Sequence, residues 1–165
     1  MPNIVLTRID NRLVHGQVAT QWCGAIGANL ILVANDEVAG NSLRQGLMNM
    51  AAPSYASMRY WTIQKTIDTI HKASAKQLIF IVCENPQDVV KLVEGGVPIK
   101  KVNIGNMHMA DGKRQVAGSV AVDDSDVAAF KRAAGTRCGT GDSSCSYRTC
   151  GKHRQAVQVN RRLLS

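Results

Sequence analysis

Aromatic side chains are scarce in this chain: two Trp, three Tyr and two Phe among 165 residues. A core of any size must be aliphatic, and platforms on which nucleic-acid bases could stack are few. Only four prolines occur, which excludes extended polyproline segments. No apolar run is long. LILVA (30–34) and LIFIVC (78–83) are strand-sized, far short of the roughly 20 residues of a membrane-spanning helix. The opening MPNIVL has no basic stretch followed by an apolar run and a cleavage site, so a cytoplasmic protein without a signal peptide is expected. Neither G-x-G-x-x-G nor a Walker sequence occurs, and no nucleotide cofactor is expected.

Acidic residues are also few, 12 against 20 Lys and Arg, for a net charge of +8. That excess is local. Residues 1–130 hold 12 bases and 11 acids, whereas residues 131–165 hold eight bases and the single acid Asp142. A nucleic-acid-binding module would have to rest on this basic tail. The tail lacks helical periodicity and has one aromatic, Tyr147.

What is present is alternation. NIVLTRI (3–9) reads as a strand, and GQVATQWCGAIG as a helix starting just after His15. ANLILVAN (28–35), MRYWTI (58–63), QLIFIVC and KKVNIGNM (100–107) read as further strands, and QVAGSVAV (115–122) as a sixth. Between them SLRQGLMNMAA ends at Pro53, TIDTIHKASA puts Ile67, Ile70 and Ala73 on one face, and NPQDVVKLVEGG carries start and stop signals; DSDVAAFKRAAG follows as a last helix with an Asp cap. Apolar strands each followed by a helix predict an α/β fold with an open, mostly parallel sheet covered on both faces. Ligands of such sheets bind at the carboxyl ends of the strands. The loops 8–17, 33–39 and 105–113 should therefore converge at one edge.

A domain over 1–132 is followed by an atypical tail over 133–165, rich in Ser, Gly and Thr, with no strand or helix of convincing length. Cys138, Cys145, Cys150 and His153 are spaced too widely for the usual zinc pairs, and no metal is expected. Cys23 and Cys83 fall in helix and strand patterns and read as buried apolar residues. The tail also reads as a displaced frame. Thr140–His153 can be back-translated so that the frame one nucleotide on spells LEIQVVPTEHAG, a strand followed by a loop.

RIDNRLVHGQV (8–18) is where chemistry gathers. An imidazole offers an unprotonated ring nitrogen near neutral pH. Arg8 and Arg12 carry forked donors suited to phosphate oxygens. Gly16 removes bulk, and the helix starting there points backbone N–H groups, including that of Gln17, at any anion on His15. Asp10 could orient an arginine or the imidazole. These residues suit phosphoryl transfer through histidine; they are also what an ordinary polar loop could contain. His71 reads as a surface residue. His108, at a strand's carboxyl end, reads either as lining the same cleft or as a turn residue, and stays outside the catalytic set.

NIVLTRIDNRLVHGQVATQW resembles the active-site signature of the IIB component of the mannose–fructose–sorbose family of bacterial sugar phosphotransferase systems. The similarity continues through VANDEVA, RYWTIQKTIDTIH, GGVPIKKVNIGNMH and AVDDSDVAAFKR, about residues 1–132, and is nearest in wording to the N-acetylgalactosamine/galactosamine branch. The resemblance implies the mannose-type IIB fold and a protein-N(π)-phosphohistidine–sugar phosphotransferase activity. His15 would accept a phosphoryl group from a IIA partner and pass it to a sugar entering through the membrane-bound IIC/IID pair. The protein would thus sit in the cytoplasm, peripheral to the inner membrane, with no nucleic-acid partner; a homo-oligomer stays open. Past Ala134 the chain departs from the family, which continues into another strand and helix. Two other readings are a nucleic-acid-binding module and a hydrolase using His15 as transient nucleophile with Asp10 as acid or base.

Overall fold

A computed structural model describes residues 1–135, 147–150 and 156–158, with residues 17, 18, 134, 135 and the two short segments described by backbone alone. In chain order the elements are β1 (Asn3–Asp10), α1 (Gly16–Ile26), β2 (Leu30–Ala34), α2 (Asp36–Ala39), α3 (Ser42–Ala51), β3 (Ser57–Trp61) and α4 (Ile63–Thr69). They continue with β4 (Leu78–Cys83), α5 (Pro86–Glu94), β5 (Val102–Asn106), β6 (Arg114–Ala117), β7 (Val120–Val122), α6 (Asp124–Gly135), β8 (Tyr147–Cys150) and β9 (Ala156–Gln158). The main sheet runs β3-β2-β4-β1-β5-β8-β9. Every pairing from β3 to β8 is parallel, and only β9 is antiparallel. This is the expected α/β architecture, because strands as apolar as LILVA and LIFIVC, buried along nearly their whole length, need cover on both faces.

Two aliphatic cores supply that cover. On one face Ile31, Val33, Phe80 and Val82 meet Ala19 and Cys23 of α1, Val38 of α2 and Met48 of α3. On the other, Leu32, Ile79, Ile81 and Ile104 meet Ile63 of α4 and Val89 and Leu92 of α5, with Val127 and Phe130 of α6 at the margin. Both sequence-expected buried cysteines lie inside these cores.

The structure corrects one expectation. Residues 115–122 do not form a sixth strand of the main sheet. They fold as the antiparallel hairpin β6–β7 around Gly118 and Ser119, a separate two-stranded sheet. In the tail the described strands are short, β8 of four residues and β9 of three, and β8 pairs in parallel with β5, Val102 opposite Tyr147. Cys138, Cys145 and His153 lie outside the described residues, and Cys150 is described only as the last backbone position of β8.

Candidate active site

The carboxyl ends of β1, β2 and β5 lie at one edge, since all three strands are parallel in one sheet. The loops 8–17, 33–39 and 105–113 leave from there, as the sequence implies. The Asn11 N–H donates to the Asn106 carbonyl at 3.0 Å, joining the first loop to the third. The Asn106 amide also donates to the side-chain oxygen of Asn11. Val38, from the second loop, shares a core with Leu13 and Val14.

His15 is the residue immediately before α1, in extended backbone, and its side chain does not cap the helix. The contrast with the other helices is informative. Asn35, Asn41, Thr62 and Asn85 accept from the first turns of α2, α3, α4 and α5, and Asp123 accepts from the Asp126 N–H of α6. Among the described α-helices only α1 begins without a side-chain acceptor, so its first N–H groups stay available to an anion. Gly16, the first helical residue, has φ +36 and nothing within 4 Å of where a Cβ would sit. Gln17 is described by its backbone alone, in the first turn.

The histidine ring is tied down. Its Nδ1 lies 3.0 Å from the Leu13 carbonyl oxygen. A carbonyl only accepts, so Nδ1 carries the proton and Nε2 the lone pair. Nε2 is buried without a hydrogen-bond partner. Leu13, whose carbonyl holds the ring, adopts φ 57, the left-handed region, with its side chain buried. That backbone costs about 1–2 kcal/mol, offset by packing of the leucine in the core beneath the loop.

Asp10 is completely buried and binds both arginines of the signature. Its Oδ2 accepts from Arg8 Nη2 at 3.0 Å. Its Oδ1 accepts the Arg12 backbone N–H at 3.1 Å and Arg12 Nε at 3.5 Å. Of the two groups Asp10 was expected to orient, an arginine or the imidazole, it contacts the arginines. The two cations differ sharply. The Arg12 side chain is 51 % exposed and that of Arg8 is 7 % exposed. Arg8 Nη1 donates to Asn103 Oδ1 at 2.6 Å, and its guanidinium lies 5.1 Å from the Trp22 ring centroid. Both terminal nitrogens of Arg8, expected from the sequence to hold phosphate, are engaged inside the protein. Arg12 remains at the surface beside His15's loop.

His108, left aside in the sequence, stands at the rim with its ring against the Asn11 amide. It helps line a cleft of about 240 Å³ with Asn11, Glu84, Asn85, Met107 and Lys113. Asn11 and Asn103, which meet the signature loop and Arg8, are residues of this edge that sequence reasoning missed. Among the described residues no group of three His, Cys, Asp or Glu side chains could hold a metal ion, and no helix is long and apolar enough to cross a membrane.

A signature histidine before an uncapped helix, on a mostly parallel α/β sheet, defines the class. The chain belongs to the sorbose-subfamily IIB components of the phosphotransferase system, whose family model matches residues 4–138; these are phosphotransferase components of sugar uptake. It is 54% identical over 140 residues to the N-acetylgalactosamine-specific phosphotransferase enzyme IIB component 2 of Escherichia coli K12, covering 84% of this chain and 89% of that one. The crystal structure of the N-acetylgalactosamine-specific IIB component 1 from Escherichia coli superposes with a TM-score of 0.84 at 44% identity, covering 96% of this chain and all of that one. A mannose-specific EIIAB component of Escherichia coli K12 is 41% identical over 130 residues, 78% of this chain and 40% of its own length.

Proposed function

We propose that this protein is a phosphohistidine carrier, taking a phosphoryl group from a IIA donor onto His15 and passing it to a sugar entering through IIC/IID permease partners. The observation that carries the reading is His15 at the start of α1, whose first turn has no side-chain cap, with Arg12 exposed three residues earlier in the same loop. In the resting arrangement Nδ1 is bound to Leu13 and Nε2 is covered, so the ring must turn about its side-chain bonds before it reacts. A lone pair on the turned ring then attacks phosphorus in line. The donor N–P bond breaks and its electron pair returns to the donor imidazole. Arg12 and the N–H groups of Gly16 and Gln17 receive the equatorial oxygens, where charge neutralisation is most of catalysis. In the second transfer the sugar hydroxyl oxygen attacks phosphorus, the His15 N–P bond breaks with its electron pair returning to the imidazole, and the hydroxyl proton passes to solvent. No metal or nucleotide is needed, because the donor phosphohistidine is already activated.

The sugar is N-acetylgalactosamine or a related hexosamine, a choice supported by the names of the relatives at 54% identity. A IIA partner is supported by the mannose-specific relative, whose name joins A and B components in one chain. The test is incubation with a phosphorylated IIA donor followed by intact-mass measurement. The protein should gain one acid-labile phosphate on His15. His15→Ala should gain none while keeping its fold, since a partly buried loop residue outside both aliphatic cores contributes little packing. Uptake of acid-labile phosphate by His15→Ala at the normal rate would place the nucleophile elsewhere.

A further inference from the structure

Arg8 is the least expected residue of the site: a cation in the signature, almost fully buried, on a strand rather than in the loop. Its surroundings form a cross-strand pattern. In the parallel pairing of β1 with β5, Arg8 stands opposite Asn103. Side chains two apart share a face of a sheet, so Arg8 and Asp10 face the same side as Asn103 and Gly105. Asn103 fixes one end of the guanidinium at 2.6 Å, and Asp10 the other at 3.0 Å. Trp22 of α1 lies over it at 5.1 Å. Gly105 supplies bare backbone beneath: a Cβ built there would fall on the guanidinium itself, against Cζ, Nη2 and Nε. The guanidinium cannot yield freely, because of the colliding atoms Nη2 is held by Asp10 and the other end of the group, Nη1, is held by Asn103.

We propose that Arg8 is a positioning residue, an internal counter-ion seated by Asn103, Gly105 and Trp22, which fixes Asp10 so that the second carboxylate oxygen orients Arg12 at the phosphoryl site. The proposal rests on the reading of His15 as the phosphoryl acceptor. The physical need is plain. A fully buried carboxylate must be paired, and if Arg12 alone paired with it, that guanidinium would be drawn inward. With Arg8 taking Oδ2, Arg12 touches only Oδ1, through its backbone N–H and Nε. Its terminal nitrogens are left to face outward from a side chain that is half exposed. One buried arginine thus holds the anchor, and one surface arginine does the binding. Gly105 and Asn103 act at one further remove, through Arg8.

The experiment is a set of double-mutant cycles read by the rate of His15 phosphorylation from a phosphorylated IIA donor. Gly105→Ala should lower kcat by about tenfold or more, the worth of misplacing one charge-assisted contact, with KM for the donor unchanged. Asn103→Ala, which adds no bulk, should lower it in the same sense and serves if Gly105→Ala does not fold. In an Arg12→Lys background, where the fork to be positioned is gone, each change should cost no more than about twofold, since effects through a shared group are not additive. Losses that simply multiply with Arg12→Lys would mean that Arg8 meets the phosphoryl group itself or acts only on the fold, and would overturn the proposal. So would normal rates in both variants. The wild-type and His15→Ala controls come first: if wild type takes no phosphate on His15, the carrier reading falls, and this proposal with it, before any variant is compared.

Discussion

Arg12 is the residue on which the chemistry should depend most after His15. Its guanidinium is a fork, suited to two oxygens of a phosphoryl group at once, and a lysine in its place is a single point charge. Arg12→Lys should therefore slow phosphorylation by about ten- to a hundredfold, the equivalent of one charge-assisted hydrogen bond of roughly 1.5–3 kcal/mol. Stopped-flow or quench measurements with a IIA donor would check it, and a rate within twofold of wild type would remove Arg12 from the site. The grouping of His15, Arg12, Asp10 and Gly16 was legible because it is local: all four lie within one short stretch, where residue type and neighbourhood suffice. Arg8 was not, because what turns it inward is Asn103, 95 residues away along the chain, together with a glycine whose importance lies only in what passes over it. Spacing cannot reveal which strand stands beside which. Nor did it show that the histidine ring is held by a leucine carbonyl in left-handed backbone, since nothing in the letters RLVH marks Leu13 as the residue to be strained.

Helix α5 offers an independent test of how the carboxyl edge is charged. Asn85 accepts from the Asp88 N–H, and Pro86 occupies the first turn, so the start signal in NPQD reads as written. Asp88, held in this first turn, is largely buried. Burial pushes its carboxyl above the ordinary value of 3.8; Lys91 opposes this, and Asp36 and Glu84 add to the rise. A carboxyl whose folded value is raised is disfavoured as an anion by folding. It therefore weakens the fold at neutral pH, and that loss disappears as pH falls through the folded value. Asp88→Asn, which removes the charge at equal size, should raise the melting temperature at pH 7 and by progressively less as the pH is lowered toward the ordinary carboxylate range. Melting curves at several pH values would show it. An advantage that stays constant with pH, or a variant less stable at pH 7, would contradict the sign. The β6–β7 hairpin shows the complementary lesson. Its Gly118-Ser119 turn between two short apolar runs is a recognised hairpin signal, but QVAGSVAV is equally a plausible edge strand, and only the antiparallel pairing of Gln115 with Ala121 settles which.

Across the molecule the charge asymmetry and the family match change character at nearly the same place. The neutral body ends near residue 130, and the family model stops at residue 138. Beside β5, where the sheet needs another strand to cover its edge, the chain supplies the short β8, reading YRTC. The frame displaced by one nucleotide over Thr140–His153 would instead supply LEIQVV, a nearly continuous apolar strand of the kind this parallel sheet uses at β2 and β4. The proposal that the tail arises from a displaced frame makes two linked predictions. Sequencing the coding DNA should reveal a one-nucleotide change shortly before codon 140, and an uninterrupted frame with the same tail in close relatives would refute it. The frame-restored protein should also melt at a higher temperature. Each buried Leu, Ile or Val contributes about 1.5–3 kcal/mol before the cost of ordering the chain, and 1 kcal/mol shifts the midpoint of a domain this size by about 2–4 °C. A rise of several degrees is therefore expected in thermal unfolding followed by circular dichroism; equal midpoints for the two proteins would mean that the present tail serves the sheet as well as the displaced frame could.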